Sequence, residues 1–143
     1  MADKFNVYLG TNLLDHTFGN TPYGASASLY FALCTATVLI TDAGSGLSEA
    51  TYTGYARTTV TNNGTNFPSA TSPANIPTKS NGTSIEFTEV TSGGDTVVAV
   101  AILDSATIGA GNVLAGGDLA VSKVISTGDK LIFEPGGVVI TLS

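Results

Sequence analysis

Residues 96–104, Thr-Val-Val-Ala-Val-Ala-Ile-Leu-Asp, constrain the fold more than any other stretch. The run contains no glycine or proline and is β-branched at Thr96, Val97, Val98, Val100 and Ile102. Gly93-Gly94-Asp95 precedes it and Asp104-Ser105 follows it. An apolar run of this length with turn chemistry at both ends predicts a strand buried on both faces. The other apolar segments read as strands that lie beside it or face it.

Residues 28–37 predict a second strand, with Leu29, Phe31 and Leu33 pointing one way and Tyr30, Ala32 and Cys34 the other. Val38, Leu39 and Ile40 extend it after a bend, and residues 42–46 form a turn cluster. Residues 55–61 predict a strand that carries Arg57 on its solvent side. Residues 62–82 are rich in Asn, Ser, Thr, Gly and Pro, and Pro68, Pro73 and Pro77 break any central strand there. This predicts a long loop, pinned to the body by Phe67 and Ile76.

Beyond the loop, Ile85 and Phe87 face inward and Glu86 outward from a strand over residues 84–89. Two short strands, 112–115 and 119–126, are split by a turn at Gly116-Gly117-Asp118. Residues 130–134 and 138–142 are the last two strands, separated by Pro135-Gly136-Gly137. Ile108 makes a short apolar excursion in the turn between residues 104 and 112.

Residues 5–19 are the best helix candidate. Asn12 caps a short turn carrying Leu13, Leu14 and Phe18, and Gly19 closes it. One or two turns of this kind need docking to be stable. The expected organisation is an N-terminal arm with a short helix over residues 1–19, followed by a single β-sandwich domain over residues 20–143. The fold class is all-β: about eight short antiparallel strands with turn signals mostly every 8–12 residues, arranged as a jelly-roll-like sandwich. An immunoglobulin-like sandwich is the second choice, weakened by the absence of tryptophan and of a cysteine pair.

Charge narrows the function classes. Only 11% of the 143 residues are charged, against about 25% in an ordinary domain. The surface must therefore be covered by Thr, Ser, Asn and Gly, which suits sheet edges and protein contacts. The net charge is −6. The basic residues Lys4, Arg57, Lys79, Lys123 and Lys130 are scattered, so no groove for several phosphates is expected and nucleic acid is not an expected partner. Cys34, the single cysteine, excludes an internal disulfide framework and fits a reducing compartment, as a small buried hydrophobe. No basic segment followed by an apolar core opens the chain, and no apolar run approaches the roughly 20 residues of a membrane span. The expectation is synthesis in a cytoplasm and no membrane partner.

The sequence shows no cluster of reactive residues. His16 is the only histidine and follows Asp15, but adjacent side chains diverge on a helix or a strand and orient each other poorly. No serine sits in a Gly-x-Ser-x-Gly elbow. One histidine and one cysteine cannot build a zinc site. Calcium needs only carboxylates and carbonyls, yet Asp95, Asp104, Asp118 and Asp129 all stand where aspartate serves as a turn residue. The glycine pairs at 93–94, 116–117 and 136–137 have no helix after them and read as hairpin turns rather than phosphate cradles. No catalytic, cofactor-binding or metal residues are expected, and no cofactor.

Several stretches together resemble a family of small virion proteins of tailed phages. They are Tyr8-Leu9-Gly10, then Leu13-Leu14-Asp15-His16-Thr17-Phe18-Gly19, the aromatic strand Leu29-Tyr30-Phe31-Ala32-Leu33, the element Gly54-Tyr55-Ala56-Arg57, and the closing pattern of 99–104, 111–114, 128–129 and 140–142. Relatives are often labelled tail fibre proteins. Those similar in size and strand plan are capsid cement, or decoration, proteins with a jelly-roll fold that bind as dimers on the outside of the head. The resemblance implies a structural, non-enzymatic virion protein made in the bacterial cytoplasm. It would lie on the capsid exterior as a homodimer bridging copies of the major capsid protein. The long insertion at 62–82 and the extended 36–41 segment depart from that pattern. A tail fibre or baseplate component is the second expectation. A carbohydrate-binding β-sandwich with Tyr23, Tyr52 and Tyr55 exposed for stacking on sugars is the third.

Overall fold

The computed structural model describes residues 2–142, with side chains from Phe5 onward. Among these, the elements in chain order are β1 (Ala2–Phe5), α1 (Val7–Phe18), β2 (Ser28–Cys34), β3 (Thr58–Thr61), β4 (Thr78–Ser80), β5 (Ile85–Glu86), β6 (Gly94–Leu103), β7 (Val113–Ser126), β8 (Ile132–Phe133) and β9 (Val139–Thr141). Seven strands form one sheet in the order β3-β2-β6-β7-β1-β9-β4, and β5 pairs with β8 in a small second sheet. All pairings are antiparallel except β1 with β9. The fold is an all-β, sandwich-like body with one helix.

The apolar run identified in the sequence lies in β6, flanked by β2 and β7. Val97 and every residue from Ala99 to Leu103 are buried. The two faces are served by different side chains. Phe31, Leu33, Val97, Val100 and Ile102 join the larger core with Phe67, Ile85, Phe87 and Val138. Ala32, Cys34, Ala99, Ala101, Leu103 and Val113 form a second cluster, covered by Val38 and Leu47. The alternation expected for β2 is therefore the one observed. A register shift between Val97 and Ala99 is a β-bulge that lets both Val98 and Ala99 serve the second face.

The second face is lined by small residues because the 36–47 segment lies close over the sheet. This explains where the sequence reading fails at Gly116-Gly117. The pair is no hairpin: β7 runs unbroken through it, and Gly116 pairs with both Lys4 and Ala101. A Cβ at Gly116 would meet Val38 Cγ1 at 2.6 Å. The glycine provides close approach rather than a turn. Val38, Leu39 and Ile40 form this cover instead of extending β2, and Leu39 and Ile40 remain exposed. Gly116→Val is expected to lower stability by about 1–3 kcal/mol, because Val38 is stiff at χ1 and cannot swing aside freely. Urea denaturation tests this, through a lower midpoint at unchanged slope.

The helix also differs from expectation. It has three turns and starts at Val7, and its cap is Asn6, not Asn12. The Asn6 side chain accepts from Tyr8 N at 2.9 Å and donates to Asp42 O at 2.9 Å, while Val7 N donates to Ile40 O at 2.8 Å. Tertiary partners thus choose between two asparagines that are locally equivalent. Asn12 lies inside the helix and donates to Tyr8 O. Gly19 does close it.

In the 62–82 segment Phe67 is buried and stacks on Phe31, with ring centroids 6.3 Å apart, but Ile76 stays exposed. The segment also contributes β4, an edge strand that follows Pro77, where proline removes no ladder bond.

Burial pushes the Cys34 thiol up to about 12 from an ordinary 9.0, with the Glu49 carboxylate adding to the effect. Between these values the unfolded thiol is ionised and the folded one is not, so the unfolded state binds fewer protons and stability falls as pH rises above about 9. At pH 10.5 the contribution of this group is a loss of about 2 kcal/mol. Cys34→Ala should flatten that part of the alkaline limb in urea titrations at pH 8 and 10.5.

Candidate interaction surface

The most polar part of the interior is a structural lock, and it overturns one sequence reading. Arg57 is buried, not on the solvent side. Its guanidinium meets Glu49 through Nε at 3.1 and 3.2 Å and through Nη2 at 2.5 Å. Nη1 donates to the carbonyls of Ser105 at 2.7 Å and Ala110 at 2.9 Å. The Tyr55 hydroxyl donates to Glu49 Oε2 at 2.8 Å and accepts from Leu33 N at 3.2 Å. Burial, then Glu49, push the Tyr55 phenol well above its ordinary value. Gly54, at φ +95°, makes the turn that presents Tyr55 and Arg57 to Glu49. The arrangement joins the 49–57 segment to the 104–112 loop. Gly44 N donates to Gly111 O at 2.9 Å, so the 36–47 cover is fixed to the same loop. One signal could have exposed the lock: Arg57 is the only arginine in the chain, and arginine suits buried multidentate pairing better than lysine does.

The candidate reactive residues are dispersed. His16 Nδ1 accepts from Tyr23 N at 3.2 Å, which folds the 20–27 linker back on the helix. Asp95 accepts from the amides of Thr51 and Tyr52, Asp104 from Asn112 N and Nδ2, and Asp129 from Ser126 N. Asp118 accepts from the Thr37 hydroxyl at 3.3 Å. Asp104 and Asp129 are local turn or loop devices of the kind expected, whereas Asp95 and Asp118 lie within β6 and β7 and tie segments 44 and 81 residues away. Among the described residues no three His, Cys, Asp or Glu side chains converge as a metal cage requires. Of the three tyrosines expected to form a sugar platform none is fully exposed, and Tyr23 is half-buried. Tyr52 is buried, packs edge-on to Tyr55 at 5.4 Å and bonds to Thr88 O, and Tyr55 is half-buried. A stacking face cannot be offered from the core.

What the surface does offer is apolar. Along α1 no residue is fully buried, and Val7, Leu14 and Phe18 are 51%, 61% and 84% exposed. Between the helix and the β9–β4 side of the sheet lies an open groove of about 310 Å³, lined by Phe5, Leu9, Leu29, Ile102, Ile140 and Leu142 among others. It exists because the small β5–β8 sheet and Phe67 cover only part of the large sheet's face. A second apolar region surrounds a wide bulge in β7, where Val97 pairs with Lys123 and Ala99 with Asp118. Val121, among the extra residues, is exposed, as are Val124 and Ile132. The sequence reading missed these surfaces because an apolar residue's exposure is set by which neighbours fail to cover it. No helix among the described residues is long and apolar enough to cross a membrane.

No curated protein matches the chain. Residues 4–141 do match a family model, described as podophage GP4 fiber I protein gp80. That match spans nearly the whole chain, including the helix, the buried Glu49–Arg57 lock and both apolar regions, and so the chain belongs to this family of phage fibre proteins.

Proposed function

We propose that this structural phage protein works on the outside of the virion as a non-catalytic fibre component, held by apolar contacts with its neighbours. Family membership supports the virion setting and gives the fibre reading its weight. The observation that carries the mode of action is the pattern of exposure. The buried charged pair, Glu49 and Arg57, is consumed inside the fold, while large apolar side chains at Val7, Leu14, Phe18, Val121 and Val124 face outward. An apolar surface in several patches suits a protein that bridges others, since each contact adds avidity once the first is made.

Cementing of the head by bridging copies of the major capsid protein makes the same physical demand, and copy number separates the two. Quantitative mass spectrometry of purified particles is the test. A count far below that of the major capsid protein is expected for a fibre. A count comparable with it would move the protein to the capsid surface, and absence from the particle would overturn the virion reading.

A further inference from the structure

We propose that the groove between α1 and the β9–β4 side of the large sheet binds one medium-chain fatty acid, its alkyl chain in the groove and its carboxylate at Lys79. Curvature of the sheet makes the site. Phe5 of β1, Leu29 of β2, Ile102 of β6 and Ile140 of β9 all line it, although β6, β7 and β1 separate β2 from β9 in the strand order. Side chains from strands so far apart meet only where a sheet curls over. Leu9 closes the groove on the helix side, and Ile102 is buried at its floor. The volume of about 310 Å³ lies at the small end of the range for small-molecule sites, which suits one alkyl chain.

The lining decides the class of occupant. Thr78, the polar neighbour of Lys79 in the groove wall, has its hydroxyl on Ile76 O at 3.0 Å and its backbone paired with Thr71. A peptide laid in the groove would therefore bury amide groups without partners, which is costly. An alkyl chain has no such groups.

Lys79 supplies the complementary charge. It stands opposite Ile140 in the β4–β9 ladder, so the two side chains share the groove face. It is half-buried, and its stem extends the apolar wall while the ammonium stays at the water boundary. Lys130 meets Glu86, but among the described residues the Lys79 ammonium has no partner. No other charged side chain is among the described lining residues. A lone cation at the rim of an apolar groove matches an anion on an apolar tail. One ammonium fits the single charge of a carboxylate better than the nearly double charge of a phosphate monoester.

The test is isothermal titration calorimetry of the full chain with sodium decanoate below its micelle concentration. One molecule per chain should bind, with a dissociation constant on the order of 100 μM. Decyltrimethylammonium, with the same tail and the opposite charge, should bind at least about threefold more weakly. Lys79→Met should weaken decanoate by about the same factor and leave 1-octanol binding unchanged. Ala70→Trp, at the exposed edge of the groove, and Leu142→Glu, which sets a like charge in its wall, should each abolish decanoate binding at an unchanged melting temperature. No binding of decanoate up to about 1 mM overturns the proposal. So does binding that survives both groove substitutions, or a cationic tail that binds as tightly as the anionic one. Copy number in the particle is a separate readout, so failure here leaves the fibre reading standing.

Discussion

Arg57→Ala is expected to destabilise the fold by about 3–5 kcal/mol, because removal of one partner strands the buried charge of the other. Glu49 and the Arg57 side chain are almost wholly enclosed, 5% and 0% exposed. The truncation leaves the Glu49 carboxylate with the Tyr55 hydroxyl alone, and it strips the carbonyls of Ser105 and Ala110 of a charged donor. For a chain of this size the loss is a fall of roughly 10–15 °C in melting temperature. Local effects should precede global ones. The 104–112 loop loses its tie to the 49–57 segment, so its amides should exchange faster than those of β6. The double variant Glu49→Leu with Arg57→Met should recover part of the loss, since no charge is then left unpaired. A single Arg57→Ala variant that melts within about 3 °C of wild type would mean that the lock contributes little.

The contrast between β6 and this lock shows what the sequence could and could not reveal. The buried character of β6 is local: the apolar run has no alternative use, and the glycines and aspartates around it end it. The two-sided alternation of β2 is equally local, because side chains on a strand must point to opposite faces. Arg57 is different. It stands among Thr, Ala and Tyr on an alternating segment, where a charged side chain ordinarily faces water. Its burial depends on Glu49, 8 residues upstream, and on carbonyls 48 and 53 residues downstream. Gly116 fails for the same reason. Glycine signals a turn to anyone reading neighbours, while its true constraint is Val38, far away in the chain. Residues 5–19 carry a helical signal, but the helix's length depends on Asn6 binding Asp42 O. Exposure of the Val7, Leu14 and Phe18 stripe was the least accessible feature, since helical spacing shows which residues share a face but not which face is left open.

Phe67→Ala should be comparably damaging, at about 3–5 kcal/mol. Its ring is buried at 3% exposure and stacks nearly parallel on Phe31, which is fully enclosed at the middle of the β2–β6 face. The ring is supplied by the 62–82 segment rather than by a strand, and its removal leaves a cavity in the buried core beside Phe31. The backbone around it is held separately. Asn63 Oδ1 accepts from the amides of Thr65 and Asn66, Asn66 Nδ2 donates to Thr61 O, and Gly82 N donates to Asn66 O. These bonds fix the shape of the turn without supplying the apolar contact, so the variant should keep the turn but lose its anchorage. Limited proteolysis is then expected to cut within residues 68–77 in Phe67→Ala well before the wild type is cut, with β6 and β7 still protected. Phe67→Leu, which refills most of the volume, should lie much closer to wild type. Equal proteolysis of Phe67→Ala and wild type would show that the asparagine network alone holds the segment. The cover over the large sheet would then have to be sought in the β5–β8 pair rather than in the loop.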